Sequence, residues 1–134
     1  MYCPTFALGS FDALPHAERV ELLREFVESL ISVNRAYLRH FPLAPALYAA
    51  GVRFVREELC GDEWQDAARI LETRAASSPD LVAYRVAELR ERDGEPTAGP
   101  LITSMVAPSG VTLWHVSVVR ESGAIEDPAV ILGT

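Results

Sequence analysis

One histidine of this chain stands inside an apolar strand pattern, His115 in Trp114-His115-Val116-Ser117-Val118-Val119. Imidazole titrates near neutral pH, which makes it the readiest general base among side chains. An equally ordinary reading is a core or rim histidine bonded to a neighbour. Further on, Asp127 precedes Pro128. A carboxylate there can orient an imidazole by accepting its N–H, and an Asp before Pro can also simply form a turn. Upstream, Ser77-Ser78-Pro79-Asp80 opens a helical stretch. Ser78 suits an N-cap, with Pro79 at the first helical position and Asp80 in the first turn. Ser77 with Asp80 resembles a capping box that has Asp in place of Glu. Cap chemistry and hydroxyl chemistry therefore compete for these serines.

Other reactive groups are few. The cysteines are Cys3 and Cys60. Cys60 is a conceivable displaced nucleophile, but no histidine lies near it in sequence. His16 and His40 fall on or beside the first helix and are expected at the surface. No His or Cys pair stands at ligand spacing on one element, so no metal is expected. No glycine-rich phosphate loop is present, so no cofactor is expected either. All 12 basic residues are Arg, which removes any lysine Schiff base, P-loop cation or isopeptide acceptor.

These residues must be placed by a mixed set of elements. Residues 15–41 carry an apolar stripe through Val20, Leu23, Phe26, Leu30, Asn34, Tyr37 and Phe41, the spacing of an amphipathic helix. Pro42 stops it, and a kink near Asn34 is compatible with its length. Residues 46–56 read as a short helix, a turn at Gly51 and an extended segment, with a further turn at 59–62. Residues 63–73 have helical spacing, 75–79 form a break, and 80–92 form a second clear helix ended by Asp93-Gly94. Within that helix Arg85, Arg90 and Arg92 face Glu88 and Glu91, which reads as a solvated, salt-bridged face. Residues 101–106 and 111–120 read as a hairpin about Pro108-Ser109-Gly110. Residues 124–127 begin a third short strand, closed by Pro128. Helices first and strands last predict an α+β fold, with N-terminal helices packed on a small antiparallel sheet. The expected organisation is an irregular arm over 1–14 and a single domain over 15–134.

The chain has 134 residues, 49% of them apolar, and a net charge of −7. A real core is possible at that size. An acidic chain gains nothing from counterion release on a phosphate backbone, so no nucleic-acid partner is expected. No stretch approaches the roughly eighteen apolar residues of a membrane span, so no membrane partner is expected. The start of the sequence lacks a basic, then apolar leader, and the cysteines form no disulfide framework. The expectation is a cytoplasmic protein.

Three segments together resemble a small transglutaminase-like family that often accompanies phage-type or other mobile gene clusters. The first is Asn34, Tyr37-Leu38-Arg39, Pro42, Pro45, Leu47-Tyr48-Ala49-Ala50-Gly51-Val52-Arg53-Phe54 and Arg56-Glu57, followed by Glu63-Trp64. The second is Ser77-Ser78-Pro79-Asp80-Leu81, running into Ala87-Glu88-Leu89-Arg90. The third is Trp114-His115, then Gly123-Ala124-Ile125-Glu126-Asp127-Pro128 and Leu132-Gly133. The resemblance covers residues 30–134. It implies the chemistry of papain-like thiol enzymes, in which a Cys at the start of a buried helix is paired with a His on one strand and an Asp on the next. Carried over, the nucleophile position is Ser78, the base His115 and the orienting acid Asp127. The chain departs at the core motif. Ser78 stands for the Cys, Ser77 for the preceding aspartate and Pro79 for the following glutamate.

That departure decides the expected activity. A thiol starts near pKa ~8.5 and is within reach of ionisation. A hydroxyl is not, and a helix dipole contributes only about 0.3–1 kcal/mol toward it. The expectation is a degenerate, catalytically inactive domain that binds a protein or peptide partner, as an accessory or structural component of a phage-derived particle. The alternative is a serine hydrolase, amidase or peptidase using Ser78, His115 and Asp127.

Overall fold

The computed structural model describes residues 13–56 and 64–133. Most of the arm expected over 1–14, with Cys3, Phe6 and Phe11, lies outside the described residues. So do Cys60 and the turn expected at 59–62.

Helix α1 (His16–His40) runs as one continuous element through Asn34. Val27, Ile31, Asn34 and Leu38 form its buried stripe, Glu18 lies in its first turn, and Arg39 and His40 lie in its last. Those charges complement the helix dipole. Asn34 is fully buried, and its Oδ1 accepts the Ala67 N–H at 2.7 Å. A polar residue in the apolar stripe thus satisfies the first turn of another helix. A 3-10 turn (Leu47–Ala49), Gly51 at φ 72° and strand β1 (Arg53–Phe54) follow.

Helix α2 (Ala67–Thr73) starts later than its spacing suggests, because Asp66 caps it by accepting the Arg69 N–H at 2.9 Å. Trp64 and Gln65 precede the helix. Strand β2 (Ala75–Ala76) pairs in parallel with β1, Arg53 opposite Ala75 and Phe54 opposite Ala76. Helix α3 (Ser78–Glu91) follows directly. Strands β3 (Gly99–Val106), β4 (Thr112–Val119) and β5 (Ile125–Glu126) form an antiparallel sheet in the order β3-β4-β5. Pro128, read from sequence as the end of a strand, instead opens a short helix α4 (Pro128–Leu132) behind an Asp127 cap. The fold is α+β.

Helix α3 is the centre of the core. Leu81, Val82, Ala83, Tyr84, Val86, Ala87 and Leu89 are all fully buried, so it is apolar nearly all round, as an enclosed helix must be. Val82, Ala83 and Val86 pack with Val27, Ile31 and Leu38 of α1 and with Ile102, Val116 and Val118 of the sheet. Leu81 and Tyr84 pack with Leu47, Val52, Ile70 and Ala129.

The charged residues of α3 are salt-bridged, as with Arg85 and Glu88 at 3.5 Å, and Arg92 is exposed, but Arg85, Glu88 and Arg90 are far more enclosed than a solvated face. Arg90 pairs with Glu28 at 2.8 and 3.1 Å and donates to the Ala98 carbonyl at 2.8 Å. Glu91 accepts from Arg35 at 2.7 Å and Arg39 at 2.8 Å. Arg92 donates to the Ala44 carbonyl at 2.9 Å. Glu88 is buried and accepts the Leu47 N–H at 3.1 Å. These charges tie α3 to the elements around it.

Candidate functional site

The positions of His115 and Asp127 follow from strand register. His115 lies on β4, opposite Thr103 of β3. Trp114, Val116 and Val118 belong to the core packing, so alternation along the strand turns His115 and Ser117 to the other face of the sheet. On the far side of β4, Val118 pairs with Glu126 and Val119 with Ile125. Continuing that register one step sets Asp127 opposite Ser117, on the same face as His115 and diagonal to it. Diagonal neighbours are within reach of long side chains.

The two side chains meet. His115 Nε2 and Asp127 Oδ2 are 2.7 Å apart. The carboxylate accepts, which puts the Nε2 proton on the ring and leaves Nδ1 as the nitrogen able to take a proton. Asp127 is also a helix cap. Its Oδ1 accepts the Ala129 N–H at 3.1 Å, at the start of α4. The turn reading and the orienting reading of Asp127 thus both describe it, one oxygen each. The turn that returns the chain to β5 passes through Gly123 at φ 91°, a conformation that favours glycine.

Ser78 is the first residue of α3, and Ser77 precedes it as the N-cap. The cap position therefore moves back by one residue. Ser77 Oγ donates to Asp80 Oδ2 at 3.2 Å, and Asp80 Oδ1 accepts the Gln65 N–H at 3.0 Å. Neither the Ser78 cap nor the Ser77–Asp80 capping box expected from sequence forms, since Ser77 makes no side-chain bond to the helix backbone; the Ser77–Asp80 pair instead fastens the start of α3 to the segment leading into α2. Ser78 is buried to 7% exposure. Among the described residues, no hydrogen bond joins Ser78 to His115 or Asp127. The structure therefore brings together His115 and Asp127 and leaves Ser78 unlinked to them. Of the other histidines, His16 is exposed and stacks on Trp114 with ring centroids 5.4 Å apart.

The sheet face that holds the pair carries Thr103 opposite His115, the buried Ser117 beside it, and exposed apolar side chains further out. Register places Met105, Leu113 and Ile125 on the His115 side of the sheet. They are 66%, 50% and 64% exposed. On α4, Val130 and Ile131 are exposed as well.

The residues that hold β5 give no sign in the sequence that they meet. Glu126 accepts from Arg85 Nε at 2.7 Å, from Arg120 at 2.8 Å and from the Tyr48 hydroxyl. Burial and the bond to Glu126 push the Tyr48 phenol up from its ordinary value. Burial pushes the Glu126 carboxyl up, but hydrogen bonds from Arg85 and Tyr48 outweigh it and hold the group below the usual carboxylate range. Burial raises the Glu88 carboxyl, opposed by its bonds to Leu47 and Arg85. No sequence periodicity marks these partners, because they come from the 3-10 turn, from α3 and from the end of β4. Among the described residues, no group of His, Cys, Asp and Glu is arranged to hold a metal ion.

No helix among the described residues is long and apolar enough to cross a membrane. Comparison with protein-family models, with curated proteins and with solved structures returns no match for this chain.

Proposed function

We propose that the chain is a degenerate transglutaminase-like domain that binds a protein or peptide segment and does not turn it over. The observation that carries this reading is the site itself: His115 and Asp127 are bonded at 2.7 Å, while the nucleophile position holds a serine unlinked to them. A base and its orienting acid need a nucleophile that ionises within their reach. A thiol does so readily, and a hydroxyl needs a well-aligned base together with an oxyanion hole. The exposed Met105, Leu113 and Ile125 on the same face of the sheet as the pair support a binding role, since exposed apolar side chains are where partners dock.

Labelling with a fluorophosphonate probe tests the inactive half of this reading. Wild type is expected to show no labelling that depends on Ser78. Stoichiometric labelling lost in Ser78→Ala would establish the serine-hydrolase reading in its place. One observation favours that second reading: the Asp127 bond to Nε2 leaves Nδ1 as the proton-accepting atom, as a working base requires.

A further inference from the structure

Glu126 directly precedes Asp127, and alternation turns its side chain to the opposite face of the sheet, the face of Val116 and Val118. There three side chains from separate parts of the chain grip its two oxygens. Oε2 accepts from the Tyr48 hydroxyl and from Arg85 Nε at 2.7 Å; Oε1 accepts from Arg120 at 2.8 Å. Each of these partners is itself fixed. The Arg85 guanidinium lies 5.0 Å over the Tyr48 ring and reaches Glu88 and Asp93 at 3.5 Å. Arg120 is held by Glu95 through Nε, at 2.9 and 3.1 Å, and through its terminal nitrogen.

The turn before β5 starts its register, with the Arg120 N–H on the Ala124 carbonyl and the Gly123 N–H on the Arg120 carbonyl, each at 2.8 Å. Beyond it the ladder comprises Ile125 and Glu126 alone, paired with Val119 and Val118, too short to hold that register on toward Asp127 unaided. A slip of one residue exchanges the faces. Asp127 would turn toward the core, and Glu126 would turn toward His115. We infer that Glu126 is a positioning residue for the His115–Asp127 pair, locking the register of β5 through Tyr48, Arg85 and Arg120 so that Asp127, and not its neighbour, meets the imidazole. The lowered carboxyl of Glu126 keeps the clamp charged through the neutral range.

This inference rests on reading His115 and Asp127 as a working pair, yet its test does not involve Ser78. Histidine labelled with 15N would be followed by NMR at alkaline pH in wild type, Glu126→Gln, Arg120→Gln and Asp127→Ser. A ring held by a carboxylate at Nε2 sits in one tautomer and shows two widely separated nitrogen signals. Asp127→Ser, which keeps a capping side chain but is too short to reach the ring, sets the unheld reference. Glu126→Gln is expected to narrow the His115 separation toward that reference, with His16 and His40 unchanged. Arg120→Gln removes one grip without touching His115 or Asp127, and it carries the test if Glu126→Gln fails to fold. Retention of the wild-type separation in either folded variant would overturn the inference. An inert thiol in Ser78→Cys would instead defeat the proposed function and leave this result standing.

Discussion

At the scale of single residues, Asp127 shows how one side chain can satisfy two demands. Its two oxygens serve the α4 backbone and the His115 ring separately, so the two roles can be separated by substitution. Asp127→Ala is expected to cost about 0.5–2 kcal/mol for the lost cap. Asp127→Ser should recover most of that in urea denaturation while leaving His115 unheld. Equal destabilisation by Ser and Ala would contradict the cap assignment. Asn34 permits a similar test. It is fully buried, and its carbonyl takes the Ala67 N–H at 2.7 Å. Asn34→Ala should cost about 1–3 kcal/mol, because the donor is left buried without its partner; a neutral result would mean that α2 relaxes to satisfy it. From sequence, Asn34 reads as a position in the apolar stripe of α1 and as the place where so long a helix could kink. Nothing in the spacing of α1 says that its amide meets the start of a helix more than thirty residues away.

At the scale of elements, what could be read from sequence follows the length over which a pattern repeats. Helices α1 and α3 and the β3–β4 hairpin each span several periods of apolar spacing, and their existence is plain in the residues. The two-residue strands β1, β2 and β5 are too short to show any period; β1 and β5 are read instead from the turns before them, at Gly51 and Gly123, while β2 falls in a stretch that reads as a break. The short α4 was hidden because Asp127-Pro128 reads equally as a turn and as a cap followed by a first-turn proline. The charged face of α3 was misjudged for a different reason. Charge spacing on a helix does not reveal that α1, the 3-10 turn and β5 all close around it. Packing sets the stability of these elements. Ile31→Ala, at a fully buried contact between α1 and α3, should cost about 2–5 kcal/mol. Met105→Thr, on the exposed end of the hairpin, should change stability by no more than about 0.5 kcal/mol. Comparable losses at the two sites would mean that the hairpin end is buried in solution, against another copy or a partner.

At the scale of the whole molecule, the acidic chain is knit together by arginine–carboxylate pairs, and this sets its response to acid. The hydrogen bonds and charge of Arg120 hold the Glu95 carboxyl down at about 2. Arg35 and Arg39 lower Glu91, and Glu126 is lowered as well. A carboxyl depressed in the folded state stabilises above its unfolded value, near 4.5, and loses that contribution as pH falls through the folded value. Glu88, raised by burial, acts in the opposite sense. Its contribution is present below the unfolded value and declines as pH rises through the folded one. The net expectation is a melting temperature that falls between about pH 4.5 and 2, with a shallower fall in Glu95→Gln; an unchanged slope in that variant would remove the Glu95–Arg120 pair from the account. His115 and Asp127 can each be singled out from residue type and context, but their meeting cannot, because strand pairing, not chain spacing, decides which carboxylate meets His115. The central claim is that this pair belongs to a thiol-type site whose nucleophile position now holds serine. It is tested most directly by restoring the thiol. Ser78→Cys, with Cys3 and Cys60 changed to Ser, would be titrated with iodoacetamide across pH, alone and with His115→Ala. The account predicts a thiol with an apparent pKa well below the free value of about 8.5 that reverts when His115 is removed. An ordinary thiol, indifferent to His115, would contradict it.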